Sequence, residues 1–186
     1  MSPAFFRSAV RFWGHPGDRQ VRNVILLRRV DAKTFALFGV RYVISDIVLP
    51  APFRLEATEQ TTTNERLYLY EIPDVNLGGY SPTVVTKVDS FDDALDAMSA
   101  SGFDAKQTAI VFELDGDLKQ HELVPATSTQ IQIEEGAFTV SASSSGSSLL
   151  ILPFEFSHCL KVSSNSPEAP APAMFRADGL LIGLHF

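Results

Sequence analysis

The chain has 186 residues, enough for one domain, or one domain with a small subdomain, around a real core. Its 45% hydrophobic and 20% charged residues exclude a disordered chain, and a formal net charge of −7 argues against a nucleic-acid binder, which needs a basic face. The single cysteine, Cys159, rules out an intrachain disulfide and a multi-cysteine metal site.

No run approaches the roughly 20 apolar residues that span a bilayer, and the first 20 residues lack the uninterrupted apolar core of a signal peptide. That opening mixes aromatic residues with Pro3, Gly14, Pro16 and Gly17 and reads as an irregular lead-in. Arg19, Arg22, Arg28 and Arg29 follow, and read as a solvated edge rather than a phosphate site. Asp31 is positioned to cap a short helix carrying Phe35, Leu37 and Phe38, which Gly39 closes in the left-handed region. Val40 to Ile44 then has strand chemistry. Alternation puts Val40, Tyr42 and Ile44 on one face and Arg41 and Val43 on the other. The first set reads as core-facing, and Asp46 reads as the group that ends the strand by capping a turn.

Pro50 and Pro52 break the chain, "EATEQTTTNE" reads as a polar loop or edge, and "RLYLYEIP" is a strand with two usable faces. "DVNLGGYSP" is a turn-rich connector and Thr83 to Val88 another strand. The clearest helix is "SFDDALDAMSASGF". Ser90 and Asp93 form an S-x-x-D box, Phe91, Ala94, Leu95 and Met98 make one buried stripe, and Gly102 stops the helix. Asp92, Asp93 and Asp96 gather toward the positive end of the helix dipole, which accounts for them without a metal. Beyond Gly102 the pattern is all β: "TAIVFEL", a "DGD" turn, and alternating strands through "STQIQIEEGAFTVSASSSGSSLLILPFEF". Within these, "SSSGSS" reads as a hairpin tip and "LLILPF" as an inner strand. "NSPEAPAPA" is a proline-rich loop, and "MFRADGLLIGLHF" ends the chain on strand residues.

Recognisable signatures of chemistry are few. P-loop, dinucleotide-glycine, H-E-x-x-H, G-x-S-x-G and C-x-x-C patterns are all missing, and His15, His121, His158 and His185 are not in metal-ligand spacing. His158-Cys159 fails as a base–nucleophile pair in an extended strand, where neighbours point to opposite faces. Cys159 reads instead as a buried small thiol. Asp46, Glu71, Glu113 and Glu155 are strand-end or strand-face carboxylates from which a hydrolytic pair would have to come. A sugar-binding surface is the simpler reading, with Trp13, Tyr68, Tyr70 and Tyr80 stacking on pyranose faces and Glu155 as a polar contact. Against it, Tyr68 and Tyr70 on one strand face are equally what a core pair does.

Taken in order, five segments resemble the extracytoplasmic part of bacterial YfhO-like membrane proteins: "FALFGVRYVISD", "LYLYEIPD", "GFDAKQTAIVFE", "SSLLILPFEFSHCLKV" and "AMFRADGLLIGLHF". The likeness runs from about Val30 onward. It departs at "FSHCLKV", where the family commonly carries a tryptophan. These are polytopic proteins of the GT-C glycosyltransferase class, whose catalytic acids lie beside early membrane helices, so no catalytic residue carries over. The resemblance implies a soluble domain, excised or naturally split, on the extracytoplasmic (periplasmic) face of the inner membrane, with the parent's membrane portion as partner.

The combined expectation is an α+β fold, mainly an antiparallel, jelly-roll-like β-sandwich, with a small N-terminal helix-strand portion and one flanking helix. Residues 1–106 form the α/β portion and 107–186 the sandwich portion of one compact unit. The expected role is a non-catalytic accessory domain, binding or positioning a cell-envelope glycan, without metal, cofactor or nucleic acid. The alternative is a structural or protein-interaction sandwich with no small ligand, and a free-standing hydrolase is the third reading.

Overall fold

The computed structural model describes residues 2–15, 25–112, 123–165 and 172–186. Helix α1, Pro3–Trp13, replaces the expected irregular lead-in. Ser2 caps it by accepting from the Phe5 amide at 3.0 Å, and Pro3 opens the first turn, where its missing N–H costs nothing. The breaker Gly14 lies beyond the last helical residue, so it ends this helix rather than preventing it. The buried face is Ser8, Ala9, Phe12 and Trp13.

Helix α2, Ala32–Leu37, is the expected short helix. The Asp31 carboxylate accepts from the Lys33 and Thr34 amides at 3.3 and 3.0 Å. Gly39 follows at φ 74°, and a Cβ there would stand 2.8 Å from Pro153 Cβ, so both conformation and space require glycine.

Strands β1 (Tyr42–Ser45), β2 (Arg54–Gln60) and β3 (Arg66–Glu71) form an antiparallel sheet in the order β1-β3-β2. Here the expected parity of β1 is reversed. Val43 opposes the buried Tyr70 and faces inward, while Tyr42 and Ile44 are 48% and 70% exposed. Within the strand Tyr42, Val43 and Ile44 are all apolar, so only the partner strand decides which side is inside. Nor does Asp46 cap the turn: the Ser45 hydroxyl accepts from the Ile47 amide at 3.1 Å.

The second sheet has five strands in the order β4-β5-β9-β10-β8: β4 (Val84–Lys87), β5 (Thr108–Val111), β8 (Leu149–Glu155), β9 (Ala173–Ala177) and β10 (Leu181–His185). β4 and β5 run parallel, joined by helix α3, Phe91–Ser99; the other pairings in this sheet are antiparallel. The sheet therefore takes one strand from before residue 106 and four from after it. Ser90 caps α3, accepting from the Asp93 amide at 3.1 Å, but the other half of the box differs from expectation: the Ser90 hydroxyl donates to the Asp93 carboxylate at 2.6 Å. Ala94, Leu95 and Met98 are buried, and the helix ends at Ala100, before Gly102. Asp92 and Asp96 also bind α1, pairing with Arg7 and Arg11.

β6 (Ser128–Glu134) and β7 (Ala137–Ser143) form a two-stranded ribbon turned at Gly136. The ribbon packs on one face of the five-stranded sheet, placing Ile131, Phe138 and Val140 against Leu150, Leu152, Ile182 and Leu184. The opposite face contributes Leu149, Ile151 and Leu181 to the main core with α1, α2 and α3. β8 ends the strand order, so it is not the inner strand expected, but cover on both faces buries four consecutive residues of it. The result is an α+β fold with sandwich-like layering. "SSSGSS" is no hairpin tip, because β7 and β8 belong to different sheets. It crosses between the layers, with Ser148 fully buried and exchanging both backbone hydrogen bonds with Phe186.

Candidate functional site

A cleft of about 710 Å³ lies between the α1–α2 junction, the C-terminal end of α3 and the loop between β3 and β4. Its apolar lining includes Phe12, Leu37, Pro52, Met98 and Phe103. Polar groups stand at two ends. On the helical side, the Arg29 guanidinium donates to the carbonyls of Arg11 and Gly14, and Lys33 projects from the first turn of α2. Among the described residues, neither cation makes an ion pair. On the other side, Lys106 Nζ lies 3.3 Å from the Asp74 carboxylate and 5.8 Å from the centre of the Tyr80 ring. Asp104 accepts from the Lys106 amide at 3.0 Å and from Gln107 Nε2 at 3.1 Å.

Tyr80 is held at both ends. Its carbonyl accepts from the Ile151 amide at 2.9 Å and its hydroxyl donates to the Asp74 carbonyl at 2.7 Å. Burial, then the neighbouring Asp74 and Asp104, push the phenol up to about 12, so it stays a neutral donor throughout the physiological range.

Asn76 braces the loop beneath. It is fully buried, its side-chain N–H group donates to the carbonyls of Leu37 and Ile151 at 3.3 and 3.0 Å, and its side-chain oxygen accepts from the Gly78 amide at 3.0 Å. Its own amide donates to Ala36 at 2.8 Å. One side chain thus ties α2, β8 and the connector together, with all its hydrogen-bonding positions but one lone pair in use.

The five residues expected to bind a glycan are not brought together. Trp13 is buried, stacked on Phe35 with ring centres 4.8 Å apart, so its faces belong to the core. Tyr70 is buried too, and its hydroxyl accepts from the Leu49 amide at 3.0 Å; Tyr68 packs half-buried beside it. Glu155 is exposed at the end of β8. Tyr80 alone of the five lines the cleft.

The carboxylates considered for hydrolysis are also dispersed. Asp46 follows β1, Glu71 pairs with Arg41 at 3.2 Å in the three-stranded sheet, and Glu155 belongs to the five-stranded sheet. Glu113 and His121 lie outside the described residues, as do Arg19 and Arg22. Cys159 is exposed, not the buried thiol expected, because its segment leaves the sheet after Glu155. Among the described residues no group of three His, Cys, Asp or Glu side chains is placed to hold a metal ion. No described helix is long and apolar enough to cross a membrane.

The cleft residues Arg29, Lys33, Asp74, Asp104 and Lys106 were not visible as a group in the sequence. They come from three separate segments, read locally as a solvated edge with a helix cap, a turn-rich connector and the approach to a strand. No family model, curated protein sequence or solved structure matches the chain.

Proposed function

We propose that this chain is a non-catalytic binding module which holds a hydroxyl-rich ligand, a cell-envelope glycan, in the cleft beside Tyr80. The carrying observation is the composition of that cleft. Apolar walls from Pro52, Pro73 and Phe103 meet donors at Arg29, Lys33 and Lys106 and acceptors at Asp74 and Asp104. A sugar ring offers apolar C–H faces and hydroxyls that both donate and accept, so it matches mixed walls better than an anion or a hydrocarbon would. Asp74 and Asp104 are already engaged by Lys106 and Gln107, which suits them to orientation rather than proton transfer. The ordered likeness to YfhO-like sequences supports placing the module in a polytopic GT-C-type membrane protein, on the extracytoplasmic side.

Titration with neutral and acidic cell-envelope oligosaccharides, followed by calorimetry and by the fluorescence of the single tryptophan, tests the binding reading. Saturable binding is expected, weakened about tenfold in Lys106→Met by loss of one charge-assisted hydrogen bond. Silence across such a panel would sink it. The membrane placement is tested separately: the surrounding reading frame is expected to encode several apolar segments of roughly 20 residues.

A second reading, a protein-interaction module, is favoured by a different observation. Tyr42, Ile44, Ile47 and Val48 are all between 48% and 70% exposed, and all belong to β1 or the loop that follows it. Apolar surface grouped in this way is a common mark of an interface.

A further inference from the structure

The hairpin between β9 and β10 carries an acid that the binding cleft does not use. Asp178 and Gly179 form its turn, both at positive φ, 46° and 77°. Such a turn would ordinarily expose its aspartate to water, yet Asp178 is completely buried. Its amide donates to the Ile110 carbonyl at 2.8 Å and its Oδ1 accepts from the Ile110 amide at 2.8 Å. The carboxyl thus stands in for a strand neighbour, extending the single β5–β9 pair at Val111 and Ala177. Oδ2 has no hydrogen-bond partner among the described residues.

Above this turn lies α3. A Cβ on Gly179 would be 3.3 Å from Leu95, 3.7 Å from Phe91 and 3.8 Å from the Met98 sulfur, so the turn supports the buried stripe of that helix. Met98 in turn lines the cleft.

We propose that Asp178 is a proton-dependent latch: neutral, it fixes α3 on the β5 and β9–β10 platform, and ionised, it loosens that helix. An unpaired carboxylate in an apolar interior is strongly disfavoured, so ionisation favours the state in which the turn opens to water. The charged groups on the surrounding elements are occupied elsewhere. On α3, Asp92 and Asp96 pair with Arg7 and Arg11 of α1, and Asp93 binds Ser90. On β9, Arg176 lies over the Phe112 and Phe156 rings, and on β4 Lys87 is exposed. β5 has no charged side chain among Thr108–Val111. Burial pushes the Asp178 carboxyl up to about 7, and the Ile110 amide alone pulls against it.

The sign of the effect follows. The folded state keeps this proton up to about pH 7, whereas an unfolded aspartate releases it near pH 4. Between those values the folded state binds more protons, so this contribution is full below pH 4 and is lost as pH rises toward 7.

The test compares the whole chain with Asp178→Asn, which keeps the shape, tolerates positive φ and cannot ionise. Hydrogen exchange of α3 amides, corrected for intrinsic rates, is measured from pH 5 to 8. In the parent the opening equilibrium is expected to rise by up to about tenfold per pH unit until pH 7, and in the variant to stay level. Parallel pH profiles in the two proteins would overturn the latch. Should the variant not fold, carbon NMR of the Asp178 carboxyl in the parent decides: a midpoint near 7 supports the proposal, and one below 5 overturns it.

Discussion

The two larger sheets make unlike use of the same apolar residue types. The five-stranded sheet is covered on both faces, by helices on one and by the β6–β7 ribbon on the other, and Leu149 to Leu152 are sealed from water. The three-stranded sheet buries Tyr70 and Val43 inward but leaves Tyr42 and Ile44 bare, and every residue of β2 is exposed. The contrast shows that the same residue types are sealed from water in one sheet and left partly in water in the other.

The difference is open to direct attack. Ile151→Ala removes a fully buried side chain from β8, which is covered on both faces, and a loss of about 4 kcal/mol in unfolding free energy is expected from transfer and cavity terms. Chemical denaturation measures it, and a loss below about 1 kcal/mol would mean that the sheet repacks freely. Asn76→Ala should cost about 3 kcal/mol, since it strands the Gly78 amide and strips the donor from the carbonyls of Leu37 and Ile151. A preserved midpoint would show that water replaces the side chain. Gly39→Ala, which forces a Cβ against Pro153 at positive φ, should cost about 2 kcal/mol by the same measurement. At the other extreme, Ile44→Thr on the bare face should change stability by less than about 0.5 kcal/mol. A large loss there would place that face in the core after all.

How far the sequence foretold this arrangement depends on the range of the interaction concerned. Asp31, Gly39 and Ser90 were legible, because a cap or a left-handed stop is decided within four residues. The burial of "LLILPF" was legible because an uninterrupted apolar run leaves β8 no solvent face, but its place at the end of the strand order was not. The orientation of β1 was not, since Val43 competes with Tyr42 and Ile44 and the winner is set by Tyr70, 27 positions away. Asn76 looked like one polar letter in a turn-rich connector, because the carbonyls that explain it are 39 and 75 residues distant. Trp13 and Tyr70 carried the composition of a sugar platform, but their faces were already committed to Phe35 and to the Phe53 edge. The parallel pairing of β4 and β5 was hidden for a related reason. The helix between them was recognised, but a crossover leaves no turn signal at the point of pairing.

That crossover also sets how far along the chain β5 must reach for its second neighbour. Parallel strands cannot zip up from a tight turn, and β5 gains its other neighbour only when Ile110 meets Asp178, 68 residues further along. Closing so wide a loop is slow, whereas the β6–β7 ribbon turns on Gly136 and needs no distant help. The β6–β7 ribbon and the β9–β10 hairpin are therefore local pairings, whereas β5 is tied to β9 across 68 residues. The helix that walls the cleft thus rests on the strand pair whose partners lie furthest apart in the chain.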